Sequence, residues 1–375
     1  MRDAPQVRIG IVGYGIMGKA HSYGYRVAPM LFDLPVRPVV AAISGRHADA
    51  VSAAADAYGI PTWTTDWQEL IDDPTIDIID VCTPPGTHAE ISAAAARAGK
   101  AVVCEKPMAA NYADAAFAAA AADAAGVLNA IGFNYRRLPA VSLMKRMIDQ
   151  GAVGDVLTWR AVWMTDEFLD PMIPFDWRFD VTMGGSSIGD LGAHLFDLAL
   201  WTVGDVEKVT AQSSTFTTER STADGPRTVS VDDASSVLLR FGSGASGVVD
   251  LSRVAARSGC DLTVAVHGTR GTIEFDYARL NELRFGTTDE DEQLYGMRTI
   301  RAEHAAHPYA AHWWPIGQGV GYGASFVNQV AELLHRWPDG PWDPNFAHGA
   351  RVQAVCEAAE RSARSGASVH VADVV

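Results

Sequence analysis

Three short stretches of this chain carry residues whose types and spacing suit chemistry. In the first, Gly13-Tyr14-Gly15-Ile16-Met17-Gly18, glycines take the first, third and sixth places, directly after the apolar run 7–12 and directly before a helical pattern. In that setting Gly13 permits a tight turn, Gly15 lets the backbone approach a pyrophosphate, and Gly18 lets the helix pack closely, with free N–H groups and the helix dipole facing the phosphates. The second stretch, Cys104-Glu105-Lys106-Pro107, ends another apolar run. There the Lys106 ammonium can hydrogen-bond a substrate oxygen beside a bound nicotinamide, and Pro107 biases Lys106 toward extended backbone. In the third, Asp190 and His194 stand at i, i+4, which on an α-helix puts both on one face while Leu191, Leu195 and Leu198 cover another. Asp190 can orient or charge-stabilise a hydroxyl, and an imidazole titrating near about 6.5 suits moving a proton at neutral pH. No Cys, Glu or third His completes a ligand set beside them, so no metal is expected.

The end of the second apolar run decides between dinucleotides. It reads Ile43-Ser44-Gly45-Arg46, without the carboxylate that holds a ribose 2′-OH. Ser44 and Arg46 can instead receive a 2′-phosphate, Arg46 as a forked donor, unless Arg46 is simply a solvated residue opening the next helix. The expected cofactor is NAD or NADP, with NADP preferred.

These residues need elements to position them. Apolar runs at 7–12, 36–43, 76–82, 101–105 and 127–133 are nearly continuous rather than alternating, as in parallel strands covered on both faces, and helical patterns separate them. Asp66, Thr87 and Asn111 stand at helix starts, and Gly99 and Gly126 at helix ends. After a helix at 141–150 the pattern changes to alternating strands at 156–164, 206–213, 236–241, 247–251, 262–267 and 271–275, with hairpin turns at 243–246 and 269–271. A helix at 188–201 interrupts them, helices at 326–337 and 347–365 follow, and 368–371 can add an edge strand. The expected fold is α/β. A dinucleotide-binding Rossmann domain spans 1–133, and a substrate-binding and oligomerisation α+β domain built on a mostly antiparallel open sheet spans 134–375.

Composition narrows the class. The 375 residues are 48% hydrophobic and 20% charged, and 45 acids against 30 bases give a net charge of −15, which repels phosphate backbones and argues against nucleic acid. The start Met-Arg-Asp-Ala-Pro-Gln has no signal-peptide pattern, and no apolar run approaches the roughly 20 residues of a membrane span. Four scattered cysteines without C-x-x-C spacing fit a reducing, cytoplasmic setting. The second domain offers more apolar strand surface than its few helices can cover, so a homodimer or homotetramer is expected. Trp163, Trp177, Trp313 and Trp314 can stack on the C–H faces of a sugar ring, while Arg136, Asp166 and Tyr309 can hydrogen-bond hydroxyls. His304, His307 and His312 fit no familiar zinc spacing and read as loop residues.

Residues 13–18, Glu105-Lys106-Pro107, and Gly189-Asp190 followed by His194 and Asp197 together resemble the glucose-fructose oxidoreductase, inositol dehydrogenase and MocA family, over residues 7 to about 337. The resemblance implies hydride transfer between a nicotinamide and a secondary hydroxyl of a sugar or polyol, with Lys106, Asp190 and His194 as the catalytic constellation. The expected dinucleotide contacts are residues 13–18, Ser44, Gly45, Arg46, Thr83, Pro84, Pro85, His88, Glu105, Lys106, Asn134, Trp177 and Arg178. The expected substrate contacts are Lys106, Tyr135, Arg136, Trp163, Asp166, Asp190, His194, His307, Tyr309 and Tyr322. Within the family, Phe133-Asn134-Tyr135-Arg136-Arg137, Trp177-Arg178-Phe179, His307-Pro308-Tyr309, Trp314-Pro315-Ile316 and residues 319–323 are similar to bacterial levoglucosan dehydrogenases, which oxidise an anhydrosugar ring hydroxyl. The segment 214–231 reads as a shorter loop than theirs, and Met164-Thr165-Asp166-Glu167 differs where Gln is expected. An inositol or polyol dehydrogenase, a redox-neutral glycoside hydrolase or lyase using NAD transiently, and a non-catalytic dinucleotide sensor are the alternatives.

Overall fold

The computed structural model describes residues 4–338 and 340–375; Met1 to Asp3, where the expected leaderless start begins, lie outside the described residues. The backbone packs as two units, Met1–Arg137 with Gly321–Arg351, and Leu138–Val320 with Val352–Val375. The units are therefore not contiguous in sequence, since the stretch Gly321–Arg351 packs with the first.

The first unit holds a six-stranded sheet of β1 (Gln6–Val12), β2 (Arg37–Ser44), β3 (Thr62–Thr64), β4 (Ile78–Val81), β5 (Ala101–Cys104) and β6 (Asn129–Ile131), in the order β3-β2-β1-β4-β5-β6. Every neighbouring pair is parallel. The strand order reverses between β1 and β4, and in such sheets ligands bind outside the carboxyl ends at this point. Helices α1 (Ile16–Leu31), α2 (Ala48–Tyr58), α3 (Gln68–Asp72), α4 (His88–Arg97) and α5 (Tyr112–Ala125) connect the strands. Strand β3 is an addition to the sequence reading: Thr62-Trp63-Thr64 is a three-residue edge strand, too short to show a period.

Two of the expected helix starts are held by side chains. Asn111 Oδ1 accepts the Asp114 N–H at 2.9 Å, and Asp66 Oδ1 accepts the Gln68 N–H at 2.9 Å. Thr87 is a correction: it precedes α4, but its hydroxyl lies 2.8 Å from Thr83 Oγ1 and 2.9 Å from Pro84 O, because the turn Pro85–Thr87 feeds the helix directly.

The second unit begins with α6 (Pro139–Asp149) and is built on a nine-stranded sheet of β7 (Val156–Thr165), β8 (Val206–Ser214), β11 (Ala234–Phe241), β12 (Ser246–Ser252), β13 (Cys260–Gly268), β14 (Gly271–Asp276), β15 (Glu282–Thr287), β16 (Arg298–Arg301) and β17 (Val369–His370). A separate hairpin pairs β9 (Glu219–Thr222) with β10 (Gly225–Thr228). Neighbours in the large sheet are antiparallel except β7 and β12. Side chains alternate between buried and exposed along β11 and β12, so one face carries the core, including Val237, Leu239, Val249 and Leu251. On the other face Leu238 is 56% exposed. The unit also contains α7 (Ala193–Thr202). Helices α8 (Gly323–Arg336) and α9 (Phe346–Ser365) end the chain's helical content, α8 packing on α1 in the first unit. Among the described residues no helix is long and apolar enough to cross a membrane.

Segment 214–231 corrects the sequence reading, since it contains β9 and β10. Its polar residues give no apolar alternation, and it is anchored from outside. Val229 and Val231 join Phe168 and Phe179 in a small buried cluster. Arg220, 2% exposed, donates to Asp170 O at 2.9 Å and Phe168 O at 2.8 Å, and its guanidinium lies 4.1 Å from the Phe179 ring centre.

Candidate active site

At the head of β1 the glycines have little room. Gly13 has φ +111°, donates its N–H to Ser44 O at 2.9 Å, and a Cβ there would stand 2.6 Å from Cys82 O. A Cβ on Gly18 would stand 2.1 Å from Gly13 O, whereas one on Gly15 would meet nothing within 4 Å. Helix α1 starts at Gly15 without a side-chain cap. The result is an open cradle of uncapped helix N–H groups, which fits a dinucleotide pyrophosphate. Around it Ile16 is exposed and Met17 half-buried. The Tyr14 ring lies against Gly45, where a Cβ would come within 2.1 Å, and Tyr58 donates to Tyr14 O at 3.1 Å. Ser44 Oγ is buried without a hydrogen-bond partner, and Arg46 is exposed.

The expected residues at the ends of β4 and β5 are tied to one another. The His88 ring lies 2.6 Å from Thr83 O and 2.9 Å from Pro107 O, joining the Thr83-Pro84-Pro85 loop to the turn after Lys106. Burial holds the His88 pKa below its ordinary value. Lys106 is half-buried, and its backbone N–H donates to Glu105 Oε2 at 3.1 Å. The other Glu105 oxygen lies 2.8 Å from Nε2 of His21, whose Nδ1 faces the Asp80 carboxylate at 2.8 and 3.0 Å. His21 and Asp80 are absent from the sequence expectations. Their signals were a histidine one turn beyond Gly18 and an acid inside the apolar strand Ile78-Ile79-Asp80-Val81. Cys82 lies beside them, and burial followed by the Asp80 charge pushes its thiol pKa up to about 12. With both ring nitrogens facing carboxylate oxygens and the thiol beside them, the group forms a buried hydrogen-bonded network.

In the second unit Asp190 and His194 are positioned differently from the expectation. Ile188–Gly192 winds as a π-helix, and α7 starts only at Ala193. The i, i+4 argument assumed 3.6 residues per turn and is corrected: a π-turn widens the repeat and changes which side chains align. The expected division into one polar and one apolar face is also corrected, because residues 191–200 are buried all round. Asp190 is half-buried; His194 is 5% exposed, with its ring centre 5.5 Å from that of Trp163. Ser186 Oγ accepts the Gly189 N–H at 2.8 Å and donates to Glu360 Oε1 at 2.9 Å, and Ser187 bonds the Asp232 carboxylate. These contacts fix the start of the π-turn.

Other expected residues divide between the units. In the first, Asn134 donates to Ser325 Oγ at 2.8 Å, and the Tyr135 and Tyr322 rings pack with centres 5.9 Å apart. Arg136 is a correction. Expected to meet substrate hydroxyls, it is 1% exposed, pairs with Asp343 at 2.9 Å and lies 2.6 Å from His348 Nε2, which makes it part of the scaffold. In the second unit Arg178 pairs with Asp176 at 3.2 Å and covers the Trp177 ring at 4.4 Å. Asp166 accepts the Arg257 N–H at 3.2 Å. His307 packs beside His304, and burial, then Arg146, holds its pKa below the ordinary value. Tyr309 adopts φ +62°, and Trp314 is exposed.

Comparison with known proteins adds the family context. The pattern described as "Oxidoreductase family, NAD-binding Rossmann fold" matches residues 7–133, and that described as "GFO/IDH/MocA C-terminal domain" matches residues 141–274. The levoglucosan dehydrogenase of Pseudarthrobacter phenanthrenivorans is 35% identical, covering 98% of this chain and 99% of that protein. The myo-inositol 2-dehydrogenase of Thermotoga maritima is 32% identical, covering 76% of this chain and 79% of that protein. A solved structure of levoglucosan dehydrogenase in complex with NADH and L-sorbose superposes with a TM-score of 0.95 at 36% identity, covering 98% of this chain and 99% of that one.

Glu360 supplies a pH-dependent load on the π-turn. Burial, reinforced by the Asp232 charge, pushes its pKa up to about 7. A carboxyl whose pKa is raised by folding costs stability as pH rises from its unfolded value of about 4.3 through about 7. Glu360→Gln keeps an acceptor for Ser186 and removes that cost. Denaturant unfolding should show the variant more stable than the parent at pH 8, by at most about 3 kcal/mol, and nearly equal to it at pH 4. An equal difference at both pH values would show that ionisation of Glu360 is not the cause.

Proposed function

Because the chain belongs to the family of glucose-fructose oxidoreductase, inositol dehydrogenase and MocA, we propose that it is an NAD(P)-dependent dehydrogenase acting on a secondary hydroxyl of a sugar or anhydrosugar. The product is a keto sugar, and levoglucosan is the first candidate substrate. The observation that carries the cofactor part is the open cradle over Gly15 at the uncapped start of α1. The substrate class rests on similarity along nearly the whole chain to levoglucosan dehydrogenase.

Residues 13–18, Ser44 and the Thr83-Pro84-Pro85 loop would hold the dinucleotide, which when bound accepts a hydride at its nicotinamide. This chain's residues then manage the proton and the charge. His194 takes the hydroxyl proton as the carbinol hydrogen leaves with its electron pair, so the alcohol becomes a ketone. The Lys106 ammonium hydrogen-bonds the same oxygen and stabilises its developing negative charge, while Asp190 orients the hydroxyl. Trp163, packed on His194, gives the sugar an apolar ring to stack on. A cytoplasmic setting is expected because four scattered cysteines without C-x-x-C spacing fit a reducing compartment. The preference for NADP rests on Arg46 alone, exposed after a strand end that lacks a carboxylate. Association into a homodimer or homotetramer rests on the sheet face that carries the exposed Leu238.

Three outcomes test this reading. With levoglucosan and myo-inositol as substrates, His194→Ala and Lys106→Ala should each lower turnover by roughly 10²-fold or more while leaving dinucleotide binding nearly intact, and the double variant should lose much less than the product. Near-normal turnover in His194→Ala would end the mechanism. Arg46→Ala should weaken NADP binding by about tenfold or more and NAD binding little, an effect of one charged hydrogen bond; equal effects would make Arg46 a surface residue. Light scattering at micromolar concentration should show a dimer or tetramer, and a monomer alone would contradict the use of the open sheet face.

A further inference from the structure

The group of His21, Asp80 and Glu105 takes no part in the reaction as proposed, yet all three side chains are buried in the first unit. The three residues are 2%, 0% and 3% exposed. His21 comes from α1, Asp80 from β4, and Glu105 follows β5 directly. Both imidazole nitrogens face carboxylate oxygens, Nδ1 those of Asp80 at 2.8 and 3.0 Å and Nε2 that of Glu105 at 2.8 Å. A neutral imidazole donates from one nitrogen only, so satisfying both acids takes the imidazolium. Burial is the largest single influence and pulls the His21 pKa down, but the Asp80 charge, Cys82 and the hydrogen bond to Asp80 together raise it well above the ordinary value.

The surrounding groups hold the acids in place. The Cys82 thiol donates to Asp80 Oδ1 at 3.6 Å, and burial, then the Asp80 charge, pushes the pKa of the buried Tyr25 hydroxyl up. The Phe326 ring from α8 lies against the imidazole with centres 5.5 Å apart. Glu105 lies over the backbone of Gly132, where a Cβ would come within 2.6 Å of Oε1. Its other oxygen accepts the Lys106 N–H at 3.1 Å. A buried charge cluster is a poor source of stability, because well-packed apolar residues of similar volume are often as stable or more so. What it supplies here is a rigid connection between helix α1, whose first turn forms the phosphate cradle, and the backbone that carries Lys106.

We propose that His21 is a positioning residue: by joining α1 and Asp80 to Glu105 it fixes the turn from which Lys106 reaches the substrate oxygen. This rests on the assignment of Lys106 to that oxygen. Misplacing a catalytic group by about 1 Å costs on the order of 10²-fold in rate, so the connection matters even though it touches no substrate.

The test uses the full-length protein with NAD, NADP and levoglucosan. In His21→Gln, where both N–H donors sit on one nitrogen and cannot span the two carboxylates as the two ring nitrogens do, single-turnover reduction of the dinucleotide should slow by about 10- to 100-fold. The Kd for NADH should stay within about threefold, and KM for levoglucosan should change less than kcat. Glu105→Gln should shift the rate in the same direction. In a Lys106→Ala background His21→Gln should add less than about a twofold loss, because it acts through Lys106. An unchanged rate in His21→Gln, or an equal proportional loss with and without Lys106, overturns the proposal. Full activity in Lys106→Ala would instead overturn the functional reading. Should His21→Gln fail to fold, nuclear magnetic resonance of the unaltered protein decides: two imidazole N–H protons on His21 at pH 8 support the connection, and a single one overturns it.

Discussion

Between helix α1 and the first turn of the sheet there is no space for a side chain, and much else in the first unit follows from that. A Cβ on Gly18 would lie 2.1 Å from Gly13 O, and one on Gly13 would lie 2.6 Å from Cys82 O. Gly13 also needs φ +111°, which side chains rarely adopt. With both side chains absent, α1 begins directly over the carboxyl ends of β1 and β4, its uncapped N–H groups pointing into open space at Gly15. The same close approach brings His21, one turn further along, within hydrogen-bonding distance of Asp80 in β4. A substitution that pushed α1 outward would disturb the phosphate cradle and the buried ion group together.

The second unit meets a different constraint, that of fixing irregular backbone. Residues 166–187 form no long helix or strand, so their carbonyl groups must find partners outside regular structure. Two buried guanidiniums supply them. Arg253, 0% exposed, donates to Gly185 O at 2.7 Å and Asp232 O at 2.8 Å, while Arg220 serves Phe168 and Asp170. Leaving one such buried carbonyl unpaired costs about 1–3 kcal/mol, and each arginine satisfies more than one. Gly185 belongs to the same arrangement, since a Cβ there would stand 2.5 Å from the backbone of Arg178. The segment therefore delivers the chain to Ser186 in a defined position, immediately before the turn that carries Asp190.

The sequence was most legible where one local rule decides the outcome. Continuous apolar runs located five of the six parallel strands, and the glycine spacing located the tight turn and uncapped start of α1, because sheet burial and Cβ-free turns leave marks within a few residues. Asn111 and Gly126 ended their helix as their types require. Long-range partners left no such mark. Thr87 stands where a cap belongs but spends its hydroxyl on Thr83 and Pro84. Arg136 reads as a hydroxyl donor, yet its partners Asp343 and His348 lie some two hundred residues away in sequence. Arg220 and Arg253 look like surface charges until the aromatic rings beneath them are known. Strands β9 and β10 have no apolar period because the small cluster around Phe179 anchors them instead.

The π-turn shows how a choice of residues can rest on a wrong geometry. Asp190 and His194 were linked by an α-helical repeat, but the first of them lies in Ile188–Gly192, where each turn holds an extra residue. Such turns persist where neighbouring groups satisfy the displaced backbone, and are frequent at functional sites. Here Ser186 accepts the Gly189 N–H, and Gly189 has no Cβ to meet Gly184 O, which would lie at 2.7 Å. Past Gly192 the ordinary α-repeat resumes, so His194 turns inward against Trp163 while Asp190 remains half-buried. An uninterrupted α-helix would couple the exposure of the two side chains; the extra residue separates them. The half-buried carboxylate can then meet a ligand hydroxyl while the imidazole stays largely shielded from water, a division of roles that the four-residue spacing alone does not encode.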